Sequence, residues 1–376
     1  MKNTRPILTV LLVIFSFYAA VILVYAARFD FNLSGFACIG DRFASPEMIS
    51  PGTVVILGSR GYDGQFFFFA AQDPLIRNEA WRSIDVPAYR YQRILYPWLA
   101  GLLALGEPDW IPLTLVLVNL AAILMGSFFV ARMLEREGKS PWYACVYGLF
   151  SGFILCVLRD LAGPVAMGFL VGALDYFSRR KFYPGAVFFS AALLSREVLI
   201  VVPAVYLLFA LFSRGRRGGG RLPALAGSFV PFLLWSGYVF FRFRDRPWRG
   251  GSGNVGPPLS GLISYGKAVL AAPGRSSEKA YLVLISAVCV LSLYLAVREV
   301  LRSKDEEGVS FLIYALFPFF LSNSVWVEPW SYGRVLRPGA VLLIVNFSRS
   351  RDRLYLYPLF GHLLLSGVIL WWVGVV

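Results

Sequence analysis

The chain has 376 residues, of which 57% are hydrophobic and 15% are charged, and its mean hydropathy is +0.64. Because soluble domains carry about a quarter charged residues, this composition excludes an ordinary soluble protein and indicates an integral membrane protein. The formal charge of +14 would favour nucleic-acid binding in a soluble chain, but here the basic residues form short clusters between apolar runs, which is typical of topology signals.

The first apolar run covers residues 7–27 and follows Lys2 and Arg5. It is about twenty residues long, enough to cross a hydrocarbon core of roughly 30 Å, and it is longer than the apolar region of a typical cleaved signal peptide. We therefore expect a retained first transmembrane span with the N-terminus in the cytoplasm.

Residues 28–110 form the first predicted extracytoplasmic loop. Within this loop the run 94–106 has about thirteen residues, too few to cross a membrane unaided, and Pro97 near its start suits a helix that begins at the interface. A full span here would invert every later segment and place the basic cluster at 132–139 outside. We therefore interpret 94–106 as a juxtamembrane or re-entrant helix.

Ten further apolar runs predict the remaining spans of a single membrane-embedded domain over 1–376. They lie near residues 111–131, 141–158, 161–178, 182–195, 197–213, 222–241, 280–297, 309–325, 335–347 and 354–376. The expected fold is an all-α polytopic membrane protein with about eleven transmembrane helices, in the range of roughly nine to thirteen. Central spans fill 111–241 and C-terminal spans fill 280–376. Between them, the glycine- and proline-rich segment 242–279 predicts a second extracytoplasmic loop with little regular structure.

The loops predicted to face the cytoplasm are all basic, as the positive-inside rule requires. Their basic residues are Arg132, Arg136 and Lys139; Arg179, Arg180 and Lys181; Arg214, Arg216, Arg217 and Arg221; Arg298, Arg302 and Lys304; and Arg349, Arg351 and Arg353. The short loops on the opposite side carry few basic residues, and each of these loops also has a carboxylate close by. The segment 242–249 is the exception, because it places four arginines outside, and the sequence leaves its role open.

Two motifs in the first loop carry candidate chemistry. In residues 61–65, Gly-Tyr-Asp-Gly-Gln, the glycines permit a tight turn that presents Asp63, although such an aspartate is also ordinary turn chemistry. Asp30 and Asp41 compete with it but lack a comparable local constraint. In residues 89–97, Tyr-Arg-Tyr-Gln-Arg-Ile-Leu-Tyr-Pro, arginines alternate with tyrosines. Such residues hold phosphate oxygens and stack on a sugar, or they form an interfacial belt.

Charged residues in the short outside loops form a third group. They are Arg159 and Asp160, Arg196 and Glu197, and Glu328 with Arg334 and Arg337. Charges between apolar helices are costly, so they face a water-filled cavity or pair with one another as structural ion pairs. Three loops that supply arginines on one face predict a cationic pocket suited to an anionic lipid phosphate. His362 is the only histidine, so the sequence has no HExxH or Ser-His-Asp pattern. It also has no glycine-rich phosphate loop, which makes nucleotide hydrolysis an unfavoured function.

Together these features resemble the GT-C superfamily of integral membrane glycosyltransferases. More narrowly, the motifs at 61–66, 89–97, 158–160 and 195–197 resemble a bacterial multi-span family associated with cell-surface glycopolymer formation. The resemblance covers residues 1–213 well, and beyond them only 328–338. It implies an enzyme of the bacterial inner membrane with an extracytoplasmic active site, which moves a hexosyl or pentosyl group, with inversion, from a polyprenyl-phosphate donor to a glycan or lipid acceptor.

The resemblance also implies roles for the candidate residues. Asp63 would be the general base, worth roughly a hundred- to ten-thousandfold in rate. Arg159, Arg196, Arg334 and Arg337 would bind the donor phosphate. The supporting or acceptor-binding residues would be Tyr62, Gln65, Arg90, Tyr91, Arg93, Asp160, Glu197 and Glu328. The first span ends without the Asp-Asp or Asp-x-Glu pair of many superfamily members, so Asp30 and Asp41 remain alternatives for the base.

Cofactor and function class stay open in part. Some GT-C enzymes use a divalent ion, Mg²⁺ or Mn²⁺, and others use none, so no cofactor is assigned. A transporter or flippase of a lipid-linked saccharide is the main alternative, and it predicts ionisable residues near mid-span or an internal repeat. A non-catalytic scaffold of an envelope-assembly complex is a third reading. The expected partners are the sugar lipid, the acceptor and membrane lipids, with no nucleic acid.

Overall fold

The computed structural model describes residues 5–212, 220–274, 276–327 and 329–373. The described part is helical apart from turns, irregular connections and two short parallel strands, β1 (Ile39–Gly40) and β2 (Val55–Ile56). The prediction of an all-α fold is therefore confirmed. The helices of the N-terminal half are α1 (Arg5–Ala26), α2 (Gly64–Gln72), α3 (Pro87–Tyr91), α4 (Leu95–Leu103), α5 (Ile111–Arg136), α6 (Ala144–Gly148), α7 (Ser151–Leu158), α8 (Gly163–Ser178) and α9 (Phe182–Ser195).

The C-terminal half continues the helical pattern. Its helices are α10 (Val201–Phe212), α11 (Arg221–Phe243), α12 (Ser260–Ala271), α13 (Ser276–Ser303), α14 (Glu306–Leu316), α15 (Asn323–Trp326), α16 (Pro329–Val335), α17 (Arg337–Arg349) and α18 (Leu356–Val373). Short 3-10 turns separate several helices in both halves, and three of these turns have a proline at their first or second position, namely Pro108, Pro141 and Pro318.

Five helical segments of the described chain are long and apolar enough to cross a membrane. They are Arg5–Phe29, Pro108–Arg136, Arg221–Phe243, Ser276–Ser303 and Arg353–Trp372. A sixth crossing exists if α6 and α7, bent by 49° at their junction, act as one span. These helices support a membrane protein.

The other predicted spans coincide with shorter helices. α8, α9, α10, α14 and α17 have 16, 14, 12, 11 and 13 residues. At about 1.5 Å per residue, none of them alone reaches the roughly 30 Å of a hydrocarbon core. The count of about eleven spans therefore stays a prediction.

The first loop folds into a small core of its own. Phe66–Phe69 of α2 are buried with Tyr91 of α3 and Tyr96 of α4. α4 has nine residues and packs against α2 and α5, and Ile111 at the start of α5 belongs to the same core. The candidate motifs of the first loop are thereby held rigidly against the helix bundle.

The segment 242–279 contains more regular structure than its composition predicts. α12 spans twelve of its residues, with Tyr265 and Val269 buried four residues apart. The Tyr265 ring stacks on Trp326, with 6.4 Å between the ring centroids. The expectation of little regular structure is wrong for α12, because one apolar stripe buried against a neighbour is enough to fix a helix. Arg242 of the unexplained outside cluster donates from Nε to the carbonyl of Ile76 at 3.1 Å, which ties α11 to the first loop.

One cavity lies at the far end of the bundle, which is the end where α5 finishes at Arg136. α5 runs 26 residues from Ile111 to Arg136, about 39 Å, and Arg136 lines this cavity of about 620 Å³. Arg180, Arg221 and Arg349, all from loops predicted to face the cytoplasm, line it as well. Four of the five basic loops of the sequence therefore supply residues to one cavity.

Carboxylates neutralise much of the charge at this end. Asp175 of α8 has a fully buried side chain, and Arg136 and Arg179 each contact it at 2.8 Å, with Arg132 at 3.9 Å. Arg221 pairs with Glu306 at 2.6 Å. Arg349 also bridges Asp305 and Glu307. These pairs tie α5 to α8, α11 to α14, and α14 to α17.

We predict that Asp175→Asn destabilises the protein, because it leaves three arginines facing one another without a counter-charge. The expected loss in the free energy of unfolding is about 1 to 3 kcal/mol, measured as a lower unfolding midpoint in detergent. Glu137→Gln is the control, because Glu137 is exposed and its contact with Arg136 is long, at 3.7 Å. An equal loss in both variants would contradict the role of Asp175.

Candidate functional site

Asp63 precedes α2 in a turn that requires its flanking glycines. Gly61 has a φ of +67°, and a methyl group there would come within 2.5 Å of the Cys38 carbonyl oxygen. A methyl group on Gly64 would overlap the carbonyl oxygen of Arg159. The glycines therefore do more than permit a turn, because they let the backbone around Asp63 touch the loop that carries Arg159.

Both oxygens of Asp63 are held by arginines. Arg90 of α3 lies 3.1 Å from Oδ1, and Arg334 of α16 donates to Oδ2 at 3.1 Å. The Asp63 side chain is 31% exposed. Burial by itself would raise the pKa of Asp63, but the positive charges of Arg90, Arg334 and Arg93 outweigh it and hold that pKa well below its usual range.

Arg90 and Arg334 are supported differently. Arg90 makes two hydrogen bonds of 2.9 Å to Asp85, and its guanidinium lies 4.5 Å from the Phe66 ring centroid. Arg334 lies over the ring of Tyr62 at 5.0 Å and donates to Ser331 Oγ at 3.3 Å. Arg90 is thus fixed within the first loop, whereas Arg334 approaches Asp63 from the C-terminal half.

Arg93 pairs with Glu197, which is 104 residues away in the chain. Nε and Nη2 of Arg93 lie 2.7 and 2.6 Å from the two carboxylate oxygens, and Arg93 also contacts the Tyr89 hydroxyl. This bidentate pair fixes the first loop to the junction of α9 and α10. Arg93 and Glu197 are therefore held as an ion pair.

A cavity of about 290 Å³ lies beside Asp63. Its lining includes the cationic or polar residues Arg28, Arg159, Arg334, Tyr25 and Tyr62, together with Gly61. The remainder is mainly apolar and includes Leu155, Leu158, Leu161 and Trp372. Such a wall suits a molecule that joins an anionic group to a hydrocarbon chain. Arg28 and Tyr25 were missed at the sequence level, although Arg28 directly follows the first apolar run.

Arg337 is buried behind this cavity and does not line it. Its side chain is 1% exposed, donates from Nε to the Arg334 carbonyl at 2.6 Å, and contacts Cys156 Sγ at 2.6 Å through Nη1. Its Nη2 has no hydrogen-bond partner among the described residues. The guanidinium lies over Gly163, at the start of α8, where a methyl group would overlap it.

The sequence-adjacent charges do not pair with each other. Arg159 contacts the Tyr25 hydroxyl, while Asp160 is fully buried with φ +46° and no partner for either oxygen in the described part of the chain. Glu197 pairs with Arg93, and the Arg196 guanidinium forms no hydrogen bond or ion pair to the described residues. Neither arginine therefore pairs with the acid next to it in the sequence, because consecutive side chains leave the backbone in different directions, and Glu197 instead forms a structural ion pair with Arg93.

Gln65 and Tyr91, two of the predicted supporting residues, make hydrogen bonds that stabilise the first loop. Gln65 is 1% exposed, accepts from the Gly40 amide at 3.1 Å and donates to the Arg60 carbonyl at 2.8 Å. Tyr91 is fully buried, with its hydroxyl donating to the Asp73 carbonyl at 3.2 Å. Neither lines the cavity. Their place in the structure is to hold the first loop together.

The competing aspartates lie apart from the arginines around Asp63. Asp30 is exposed after α1, and Asp41 is exposed and accepts from the Gly58 amide at 2.7 Å. Neither has an arginine partner among the described residues. Glu328 lies outside the described residues, so its predicted role is neither placed nor tested.

The residues around Asp63 do not fit a divalent metal. Its immediate partners are guanidinium groups, which do not ligate cations. Within the described ranges, no group of three or more His, Cys, Asp or Glu side chains could hold a metal ion. No reaction step is therefore assigned to a metal.

We predict that Gly163→Ala disturbs the site through Arg337. The added methyl group overlaps the guanidinium, and overpacking of this kind costs about 1 to 3 kcal/mol in the free energy of unfolding. Gly227→Ala in α11 is the matched control, because nothing lies within 4 Å of the methyl group it adds, and its stability should be unchanged or slightly higher. Equal unfolding midpoints for the two variants would contradict the position of Arg337.

Comparison with protein-family models, curated proteins and solved structures found no match for this chain. Any function must therefore be argued from the residues around Asp63 and from the cavity beside them.

Proposed function

We propose that the chain is a membrane glycosyltransferase that transfers a sugar from a polyprenyl-phosphate-linked donor to an acceptor hydroxyl. The observation that carries the proposal is that one carboxylate, Asp63, lies next to a cavity whose lining combines arginines with apolar side chains. A lipid-linked sugar offers the matching features, namely a phosphate, a hydrocarbon chain and a sugar whose bond to phosphate can break.

The charge balance of the site supports an anionic substrate. Arg159, Arg196 and Arg337 have no carboxylate within ion-pair distance among the described residues, although they are partly or fully buried. An uncompensated buried charge costs several kcal/mol, so a phosphate bound in the cavity would relieve part of that cost at Arg159, whereas Arg196 and Arg337 do not line the cavity. Arg159 and Arg334 reach the cavity directly, whereas Arg337 supports Arg334 from behind.

The reaction then follows from these positions. The acceptor hydroxyl attacks the anomeric carbon and gives its proton to Asp63, while the bond between that carbon and the phosphate oxygen breaks. Arg159 and Arg334 stabilise the negative charge that grows on the leaving phosphate. Attack from the side opposite to the phosphate inverts the anomeric centre.

The proposed site faces the outside of the cell membrane. Four of the five basic loops that favour the cytoplasm supply residues to the cavity at the Arg136 end of α5. The first loop, which carries Asp63, shares a core with Ile111 at the other end of α5. An envelope glycan or lipid would then supply the acceptor, with the donor held in the same membrane.

A transfer assay tests the proposal. Purified protein in lipid nanodiscs is given a panel of radiolabelled polyprenyl-phosphate sugars, and release of label from the lipid is measured. We expect Asp63→Asn to lose about a hundred- to ten-thousandfold in rate because the base is removed. We expect Arg159→Gln to raise the KM for the donor because it removes a phosphate contact.

Asp30→Asn is the matched control for this assay. Asp30 is exposed and does not line the cavity, so the variant should keep the wild-type rate. Wild-type activity in Asp63→Asn, with an unchanged unfolding midpoint, would remove Asp63 from the mechanism. Transport of the donor across the bilayer without release of the sugar would instead favour a flippase.

Orientation is tested by labelling single cysteines in intact cells. On a background without the native cysteines, Leu57→Cys should react with a membrane-impermeant maleimide, because Leu57 is 82% exposed in the first loop. Glu137→Cys, at the far end of α5, should react only after the cells are permeabilised. The reverse pattern, or labelling of both in intact cells, would contradict an extracytoplasmic site.

A further inference from the structure

The structure shows the proposed base in a state that is unfit for its task. Both oxygens of Asp63 are bonded to guanidinium groups at 3.1 Å, and a carboxylate held in this way is a weak proton acceptor. A general base works best with a pKa near the pH of the reaction. Something must therefore release Asp63 before it can accept the proton of an acceptor hydroxyl.

Of the two arginines, Arg334 is the one that a ligand can reach. Arg334 and Tyr62 line the cavity, whereas Asp63 and Arg90 do not. Arg90 is also held by two hydrogen bonds to Asp85. An anion that enters the cavity therefore meets Arg334 before Asp63, with Arg159 on the same wall.

We propose that the donor phosphate draws the Arg334 guanidinium away from Asp63, so that donor binding must precede proton transfer to Asp63. This inference rests on the proposed function. A guanidinium binds two phosphate oxygens in the same planar geometry in which it binds a carboxylate, so the exchange replaces one anionic partner by another. Arg334 is thus a positioning residue for Asp63 as well as a phosphate ligand.

The exchange gives the reaction a fixed order. Without donor, Asp63 stays paired to Arg334 and an acceptor hydroxyl cannot pass its proton to it. With donor bound, Oδ2 of Asp63 is free and takes the proton of the acceptor hydroxyl. The bond between the anomeric carbon and the phosphate oxygen breaks at the same time, and its electron pair leaves with the phosphate. Departure of the phosphate returns Arg334 to Asp63 once the proton has been lost to solvent.

The test measures the protonation of Asp63 directly, without turnover. The carboxyl stretch that is present in wild-type protein and absent in Asp63→Asn is followed by infrared spectroscopy as the pH is lowered, with and without saturating farnesyl phosphate. A carboxylate pKa depressed by ion pairing rises when a partner leaves. We therefore expect farnesyl phosphate to raise the pKa of Asp63 by about one to three units, a ten- to thousandfold change in proton affinity.

Two variants separate the exchange from a general effect of charge. Arg334→Gln should raise the pKa of Asp63 without ligand, and farnesyl phosphate should add little further. Arg90→Gln should also raise it without ligand, because Arg90 contacts Asp63, but the shift caused by farnesyl phosphate should persist. Arg334→Met, which also removes the positive charge, serves in place of the glutamine variant if that variant does not fold.

The outcomes distinguish the two proposals. Farnesyl phosphate that binds, as measured by calorimetry, but leaves the pKa of Asp63 unchanged would overturn the exchange and leave the proposed function standing. An equal ligand-induced shift in wild-type and Arg334→Gln would also overturn it. Failure of farnesyl phosphate to bind at all would overturn the donor site itself, and the exchange with it.

Discussion

The contact between Asp63 and two arginines is the interaction on which the rest of the site depends. Arg90 comes from the same loop, but Arg334 is 271 residues away in the chain. Their meeting on one carboxylate joins the first loop to the C-terminal helices and places the cavity between them. The Arg93–Glu197 pair supports this junction from the side, so the first loop is attached to the bundle by charge as well as by its phenylalanine core.

The two ends of the molecule treat buried charge in opposite ways. At the far end, Asp175, Asp305 and Glu306 each have an arginine within 2.8 Å, so each of these carboxylates has a counter-charge. Around Asp63, by contrast, Arg159 and Arg337 have no carboxylate partner among the described residues. Matched pairs stabilise a fold, whereas a buried excess of one sign is costly and is a mark of a ligand site. This contrast favours the Asp63 end for the proposed function.

The sequence allowed the helices and the motifs to be predicted, but it did not show which arginine forms an ion pair with which acid. Hydropathy alone located the long apolar helices, and the flanking glycines singled out Asp63 because close backbone contacts require them. Which arginine meets which acid depends on tertiary packing, so the sequence could not show that Glu197 pairs with Arg93 rather than with the adjacent Arg196. Composition also gave no indication of α12, because the buried stripe of this helix depends on packing against Trp326. Nothing in the sequence gave a reason to place Arg28 at the same site as Asp63.

An experimental structure of the protein with farnesyl phosphate in nanodiscs tests the central claim most directly. The phosphate is expected in the cavity of about 290 Å³, within hydrogen-bond distance of Arg159 and Arg334, with the prenyl chain against Leu155 and Leu158. Phosphate density in the opposite cavity, between Arg136 and Arg349, would contradict an anion site at Asp63. So would density in neither cavity at a concentration that saturates binding.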